Sequence, residues 1–228
     1  MPPLERNPGG GGQRSDHEPR HPPPRLDAKK KTRAATERSD AARQDWRRAI
    51  ADRDPSRFVF LDESSPNVCL TPTYARAPRG QRAHGQAPRN YGRNTTLVAA
   101  LTPTGLQAPM TLLGALDSDA FAAYVREFLL PTLTPGTFVI LDNLSVHQRA
   151  DIRARFDTAG CQLIFLPPYS PDFNPIELIF SKRKTRLRRL AARTQEALDD
   201  AIADALTSIS AQDATNCLRH CGYPVSDQ

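Results

Sequence analysis

TFVILDNLSVHQRADIRARFDTAGCQLIFL, Thr137–Leu166, is the stretch on which the fold turns. Its opening, TFVILDN (Thr137–Asn143), is a continuous apolar run that ends in an acid and an amide. Such a run, without polar alternation, reads as a strand buried on both faces. A helix is predicted from about Gln148 to Ala159, ending at Gly160, and CQLIFL (Cys161–Leu166) reads as a further strand. Strands that alternate with a helix in this way argue for an α/β domain.

The flanks extend the pattern. RFVFLDES (Arg57–Ser64) is another strongly apolar strand. NTTLVAALT (Asn94–Thr102) and APMTLLGAL (Ala108–Leu116) read as two more, turned by PTG. Between these, VCLTPTY suggests an outer strand, and GQRAHGQAPRNYGR a hairpin loop. Asp117-Ser118-Asp119 caps a helix through about Leu130, stopped by Pro131. A long helix is predicted from Pro175 to about Ala192. Thr194 caps the next, with Leu198, Ile202, Leu206 and Ile209 on one face, and Ser210 with Asp213 forms a capping box for the last. Upstream, Ala42, Trp46 and Ala49/Ile50 recur at helical spacing from Ser39 to about Asp52. The expectation is a domain over 39–228: an α/β fold with a mixed sheet flanked by helices and a helical C-terminal end. Residues 1–38 carry GGGG, PPP and KKK among charged residues and read as a disordered tail.

Composition bounds the function. The chain has 228 residues, 39% hydrophobic, with a formal charge of +6, a balance that favours a polyanionic partner. No run of about 18 apolar residues is present, so no membrane span is expected. The first residues lack the apolar core of a signal peptide. Cys69, Cys161, Cys217 and Cys221 fit no disulfide framework, and reduced thiols in a cytoplasm are the expectation. Cys217, His220 and Cys221 lack the second ligand pair that a zinc site would need.

Three acids stand out by position. Asp62 and Asp142 lie at or near the ends of buried strands, where a carboxylate is least costly and where α/β sheets place ligands. Each alone also reads as a strand-end or turn residue. Glu177 follows FLPPYSPDFNP, in which Pro167, Pro168 and Pro171 restrict the loop. Asn174 is a good N-cap, Pro175 suits the first helical position, and Glu177 falls third, so a capping box alone could account for it. The same stiffness also aims the Glu177 carboxylate. Three such acids suit hard divalent cations, and a pair of ions serves phosphoryl transfer. The positions permit convergence without showing it.

FLDES, ILDNLSVH and LPPYSPDFNPIEL, in that order, resemble the three catalytic blocks of DDE transposases, with the mariner type and its bacterial insertion-sequence branch (the IS six-thirty group) most similar. Thirty-four residues separate Asp142 from Glu177, the interval of that branch. The similarity runs from about Lys29 to Tyr223. It implies a ribonuclease-H-like fold with a mixed five-stranded sheet. It also implies that Asp62, Asp142 and Glu177 hold two Mg2+ ions, Mn2+ substituting. Water would cleave DNA at the element's ends, and the freed 3′-hydroxyl would attack target DNA, usually at TA, with no covalent protein–DNA intermediate. A homodimer and a cytoplasmic, nucleoid-associated bacterial setting follow from the same resemblance. Asn143 and His147 match a recurrent DN…H pattern, and Phe180 stands where relatives often carry Trp.

Beyond Glu177 the helix carries Lys182, Arg183, Lys184, Arg186, Arg188, Arg189 and Arg193 with no acid between. Lys182, Arg186, Arg189 and Arg193 form one stripe, while Lys184 and Arg188 share the face of Glu177. Phosphate contact is the expectation for this helix, with a second basic region at Arg76, Arg79, Arg82, Arg89 and Arg93. Helix-turn-helix units ahead of the catalytic domain, usual in such transposases, have no counterpart in the first 38 residues. A separately encoded helix-turn-helix portion, or truncation, is the corresponding expectation. The competing readings are a non-catalytic relative that binds DNA or full-length transposase and modulates it, and a ribonuclease-H-like nuclease without a transposition role.

Overall fold

The computed structural model describes residues 35–90, 92–143 and 149–225. The tail expected over 1–38 lies, up to residue 34, outside the described residues, as does His147. From Ala35 onward the chain forms one compact unit. Five strands, β1 (Phe58–Ser64), β2 (Thr95–Thr102), β3 (Gly105–Leu113), β4 (Phe138–Leu141) and β5 (Gln162–Phe165), form one sheet in the order β3-β2-β1-β4-β5. β2 runs antiparallel to β1 and β3, while β4 runs parallel to β1 and β5. This is the mixed five-stranded sheet that the family resemblance implied.

Side-chain alternation along β1 splits the core in two. Phe58 and Phe60 face one side, with Leu97, Ala99, Leu101 and Ile140. Val59 and Leu61 face the other, with Val98, Ala100, Val139 and Leu141. Helices α2 (Ser118–Tyr124) and α3 (Ala150–Thr158) cover the second face through Phe121, Tyr124, Ile152 and Phe156. Helices α1 (Asp40–Ala51), α4 (Pro175–Leu190), α5 (Gln195–Thr207) and α6 (Ala211–His220) cover the first. Each fully buried Phe, Leu or Ile contributes about 1.5–3 kcal/mol. Tyr223, just beyond α6, packs its ring against Phe58 and Phe60 at centroid distances of 5.7 and 4.9 Å, which binds the chain's end into the sheet.

The expected caps form. Ser39, Asp117 and Thr194 accept backbone N–H bonds at the starts of α1, α2 and α5, and Ser210 with Asp213 completes a capping box on α6. Three elements differ from expectation. β3 begins at Gly105 rather than Ala108, because Pro103 and Thr104 alone make the turn and Thr102 pairs directly with Gly105. The helix expected to reach Leu130 is α-helical only to Tyr124 and widens into a π-turn over Val125–Leu129, where the Leu130 N–H bonds the Val125 carbonyl. Pro131 lacks the N–H that would continue the ladder.

The third difference is the segment between β1 and β2. No strand forms there among the described residues, so the outer strand expected at VCLTPTY is corrected. Pro66, Pro72, Pro78 and Pro88 withdraw ladder donors. The segment is tied from outside instead. The Arg193 guanidinium donates to the carbonyls of Val68 (2.9 Å), Leu70 (3.0 Å) and Gln86 (3.3 Å).

Candidate active site

The sheet register sets two acids side by side. Parallel pairing matches Phe60 with Ile140. Asp62 and Asp142 each lie two residues beyond this pair, and alternation along β1 puts Asp62 on the α4 face. β4 ends at Leu141, so Asp142 is the first residue past the strand. From the far side, a 3-10 turn over Pro171–Phe173 delivers the chain to Asn174 and Pro175, and Glu177 falls in the first turn of α4. Asp62, Asp142 and Glu177 line one cavity of about 440 Å3, together with Asn143, Asn174 and the loop from Leu166 to Pro171.

Asp62 carries the strongest electrostatic strain of the three. It is 9% exposed. Burial pushes its carboxyl up to about 8; the neighbouring charge of Glu177 adds most to this, and those of Glu63 and Asp142 add further. The Glu63 N–H opposes the shift by donating to Asp62 Oδ1 at 2.8 Å. Glu63 itself projects from the opposite face of β1.

The capping-box reading of Glu177 is corrected here. Asn174, Pro175 and Glu177 occupy the expected N-cap, first and third positions, but the Asn174 side chain makes no cap hydrogen bond. Its Nδ2 donates instead to Asp62 Oδ2 at 2.9 Å, within the core. The Glu177 N–H is satisfied by the Asn174 backbone carbonyl at 3.2 Å. Asn174 is 3% exposed, and its Oδ1 is buried with no hydrogen-bond partner among the described residues.

The donor set fits hard divalent cations: three carboxylates and one orphaned amide oxygen, with Asp62 under like-charge pressure that a cation would relieve. The backbone assembles the trio, but the side chains do not yet converge. As they lie, no three acidic, His or Cys side chains among the described residues stand close enough to enclose an ion.

The loop that carries this site is gripped from two other elements. Arg43 of α1, 4% exposed, makes two hydrogen bonds to the Asp172 carboxylate and stacks at 4.0 Å over the Phe173 ring. The Tyr223 hydroxyl donates to the Phe173 carbonyl at 2.7 Å. The sequence marks Asn174 only as a cap and gives Arg43 no role. No local pattern marks a partner 129 residues away.

The basic helix divides by use. Lys182 pairs with Asp213 and Arg186 with Asp204, so both tie α4 to its helical neighbours. Arg183 is buried, donates to the Ile202 carbonyl at 3.2 Å, and is pushed down to about 10 by burial. Arg193 holds the β1–β2 segment. Lys184, Arg188 and Arg189 make no ion pair among the described residues, and the first two share the face of Glu177. A larger cavity of about 760 Å3 lies between α1 and the end of α6, but its one acid, Asp172, is already committed to Arg43.

Fold and cavity together define the class: a ribonuclease-H-like α/β domain with carboxylates at the ends of its central parallel strands. The chain belongs to the family described as DDE superfamily endonuclease, which matches residues 57–199. Among solved structures it is similar in fold to the Mos1 transposase paired-end complex with left transposon end, with a TM-score of 0.69 at 14% identity. That match covers 86% of this chain and 63% of the Mos1 chain. The Mos1 mariner paired-end complex with Mn gives 0.66 at 15% identity, covering 86% and 64%. The catalytic domain of Mos1 mariner transposase gives 0.53 at 11%, covering 82% of this chain and 93% of that one. The chain thus spans less than two thirds of the fuller Mos1 chains. Comparison with curated proteins yields no match.

Proposed function

We propose that this chain is the catalytic portion of a DDE transposase of the mariner type, in its bacterial insertion-sequence branch, acting on DNA. Asp62, Asp142 and Glu177 are the catalytic acids, and they would hold two Mg2+ ions, with Mn2+ as a substitute. Bound cations would supply Lewis acidity at the scissile phosphate. Water would break a phosphodiester at the element's end and leave a 3′-hydroxyl. That hydroxyl would then displace a 3′-oxygen of the target strand and form a new phosphodiester.

The chain's own contribution is positional. The β1–β4 register sets Asp62 beside Asp142, Asn174 holds the Asp62 carboxylate, and the proline loop delivers Glu177 from the opposite wall. Lys184, Arg188 and Arg189 are the DNA contacts favoured by the ion pairing of their neighbours, and they would bind phosphate rather than base edges. Partners in such a system would be transposon ends, target DNA and a second copy of the chain. The observation that carries the reading is the meeting of three sequence-distant acids around one cavity. The test is Mg2+-dependent strand cleavage by Asp62→Ala, Asp142→Ala and Glu177→Ala. Each is expected to abolish it, and cleavage that survives all three changes would refute the assignment.

A further inference from the structure

Tyr169 is an exposed aromatic at the rim of the acid cavity, and it adopts a backbone conformation that tyrosine rarely accepts. It follows Pro168 in the turn of the proline loop with a φ of 53°, where glycine or asparagine is the usual occupant. Its side chain is 57% exposed and lines the same cavity as Asp62, Asp142 and Glu177. The ring has no aromatic or cationic stacking partner among the described residues, unlike Phe173 four residues on, which lies under Arg43. The left-handed backbone costs stability that no packing of the ring returns. A polar glycine-like residue would serve the turn better. The neighbouring Pro167, Pro168 and Pro171 restrict the loop, so the ring is presented with little freedom.

A planar ring beside acids that handle a phosphodiester suits one chemical class: the π-face of a nucleobase. Single-stranded or splayed bases stack on such aromatics without regard to sequence. Resting on the DNA-directed reading above, we infer that Tyr169 is a stacking residue for an unpaired base next to the scissile phosphate. It fixes the strand in the cavity by contact with the base, while Lys184 and Arg188 act on the backbone phosphates.

The test uses the full chain and a single-stranded oligonucleotide containing 2-aminopurine, in buffer without divalent cations so that no cleavage intervenes. Affinity, 2-aminopurine quenching and melting temperature are compared for wild type, Tyr169→Phe, Tyr169→Asn and Tyr169→Gly. Tyr169→Phe is expected to bind within twofold of wild type. Tyr169→Asn and Tyr169→Gly are expected to melt at the same or a higher temperature, because both residues accept the turn. They are also expected to bind about tenfold more weakly, with less quenching and an unchanged slope of affinity against salt. Wild-type affinity and quenching in the Asn and Gly variants overturn the stacking role alone. A wild type that binds no DNA overturns this inference and the functional reading together. A loss of affinity that comes with a flattened salt slope assigns the residue to phosphate placement and overturns stacking.

Discussion

Asn174 donates its side-chain amide to Asp62 across 112 residues, at 2.9 Å, and gives up its own helix cap to do so. The bond joins the N-cap residue of α4 to the C-terminal half of the central strand β1, both inside the core. Removing the donor leaves a buried Asp62 oxygen without its partner, which costs about 1–3 kcal/mol. Asn174→Ala is therefore expected to lower stability by about that amount and to slow strand cleavage at least tenfold with little change in the KM for DNA. Asn174→Ser, which keeps an N-cap side chain, should recover part of the stability and none of the rate. Urea denaturation alongside single-turnover cleavage checks both. Equal rates in wild type and Asn174→Ala would remove Asn174 from the site's machinery.

The burial of Asp62 has a consequence for pH. Its folded carboxyl titrates at about 8, above the ordinary value of 3.8. Between those values the folded chain holds a proton that the unfolded chain has lost. Stability supplied by this group is thus full below about pH 4 and declines as pH rises toward 8. Melting temperature in metal-free buffer is expected to fall between pH 5 and pH 8, and Asp62→Asn should flatten that decline while abolishing cleavage. Mg2+ should raise the melting temperature of wild type at pH 8 more than that of Asp62→Asn. A decline unaltered by Asp62→Asn would place its source elsewhere.

The Arg43–Asp172 pair works in the opposite direction. The hydrogen bonds from Arg43 hold the Asp172 carboxyl below its usual range. Stability from this pair is present above about pH 4 and is lost as pH falls through the depressed folded value. Asp172 is half exposed, which limits the coupling to about 1 kcal/mol. A double-mutant cycle of Arg43→Ala and Asp172→Asn, run at pH 7 and again at pH 3, should show that coupling at the higher pH and a smaller one at the lower. Additive effects at pH 7 would mean that α1 does not brace the loop that leads into α4.

How much of this was open to reading from the chain follows from range. Apolar strands around Asp62 and Asp142 announce themselves locally, and so do the caps at Ser39, Asp117, Thr194 and Ser210. The acid trio was legible because each member sits at a strand or helix end, a property of a few neighbouring residues. What was hidden depends on pairs far apart in sequence. Asn174 had two legitimate uses for one amide, and only the three-dimensional closeness of Asp62 decides between them. The α4 cations look alike in sequence, yet Lys182 meets Asp213 and Arg186 meets Asp204 only after α5 and α6 fold back. Arg193 looked like one more member of the stripe, and it instead supplies the donors that the proline-rich segment lacks.

That division of the basic helix can be tested directly. Lys184 and Arg188 lie seven and eleven residues past Glu177 on its own face, about 10 and 16 Å along the helix at 1.5 Å per residue. A strand leaving the acid cavity along that face would pass both. Lys184→Ala with Arg188→Ala is expected to weaken DNA binding and to reduce the slope of log affinity against log salt by about 2, one for each lost phosphate contact. Lys182→Ala with Arg186→Ala removes the same formal charge from a face turned to α5 and α6. It should change the salt slope by less than half as much and cost about 1 kcal/mol or less of stability, the worth of exposed ion pairs. Fluorescence anisotropy over a salt series, with a melting curve for each variant, separates the two. If the double variants flatten the slope equally, long-range charge governs binding and the Glu177 face has no special part in it. If only the Lys184 and Arg188 pair does, the strand's path runs from the acids along that ridge.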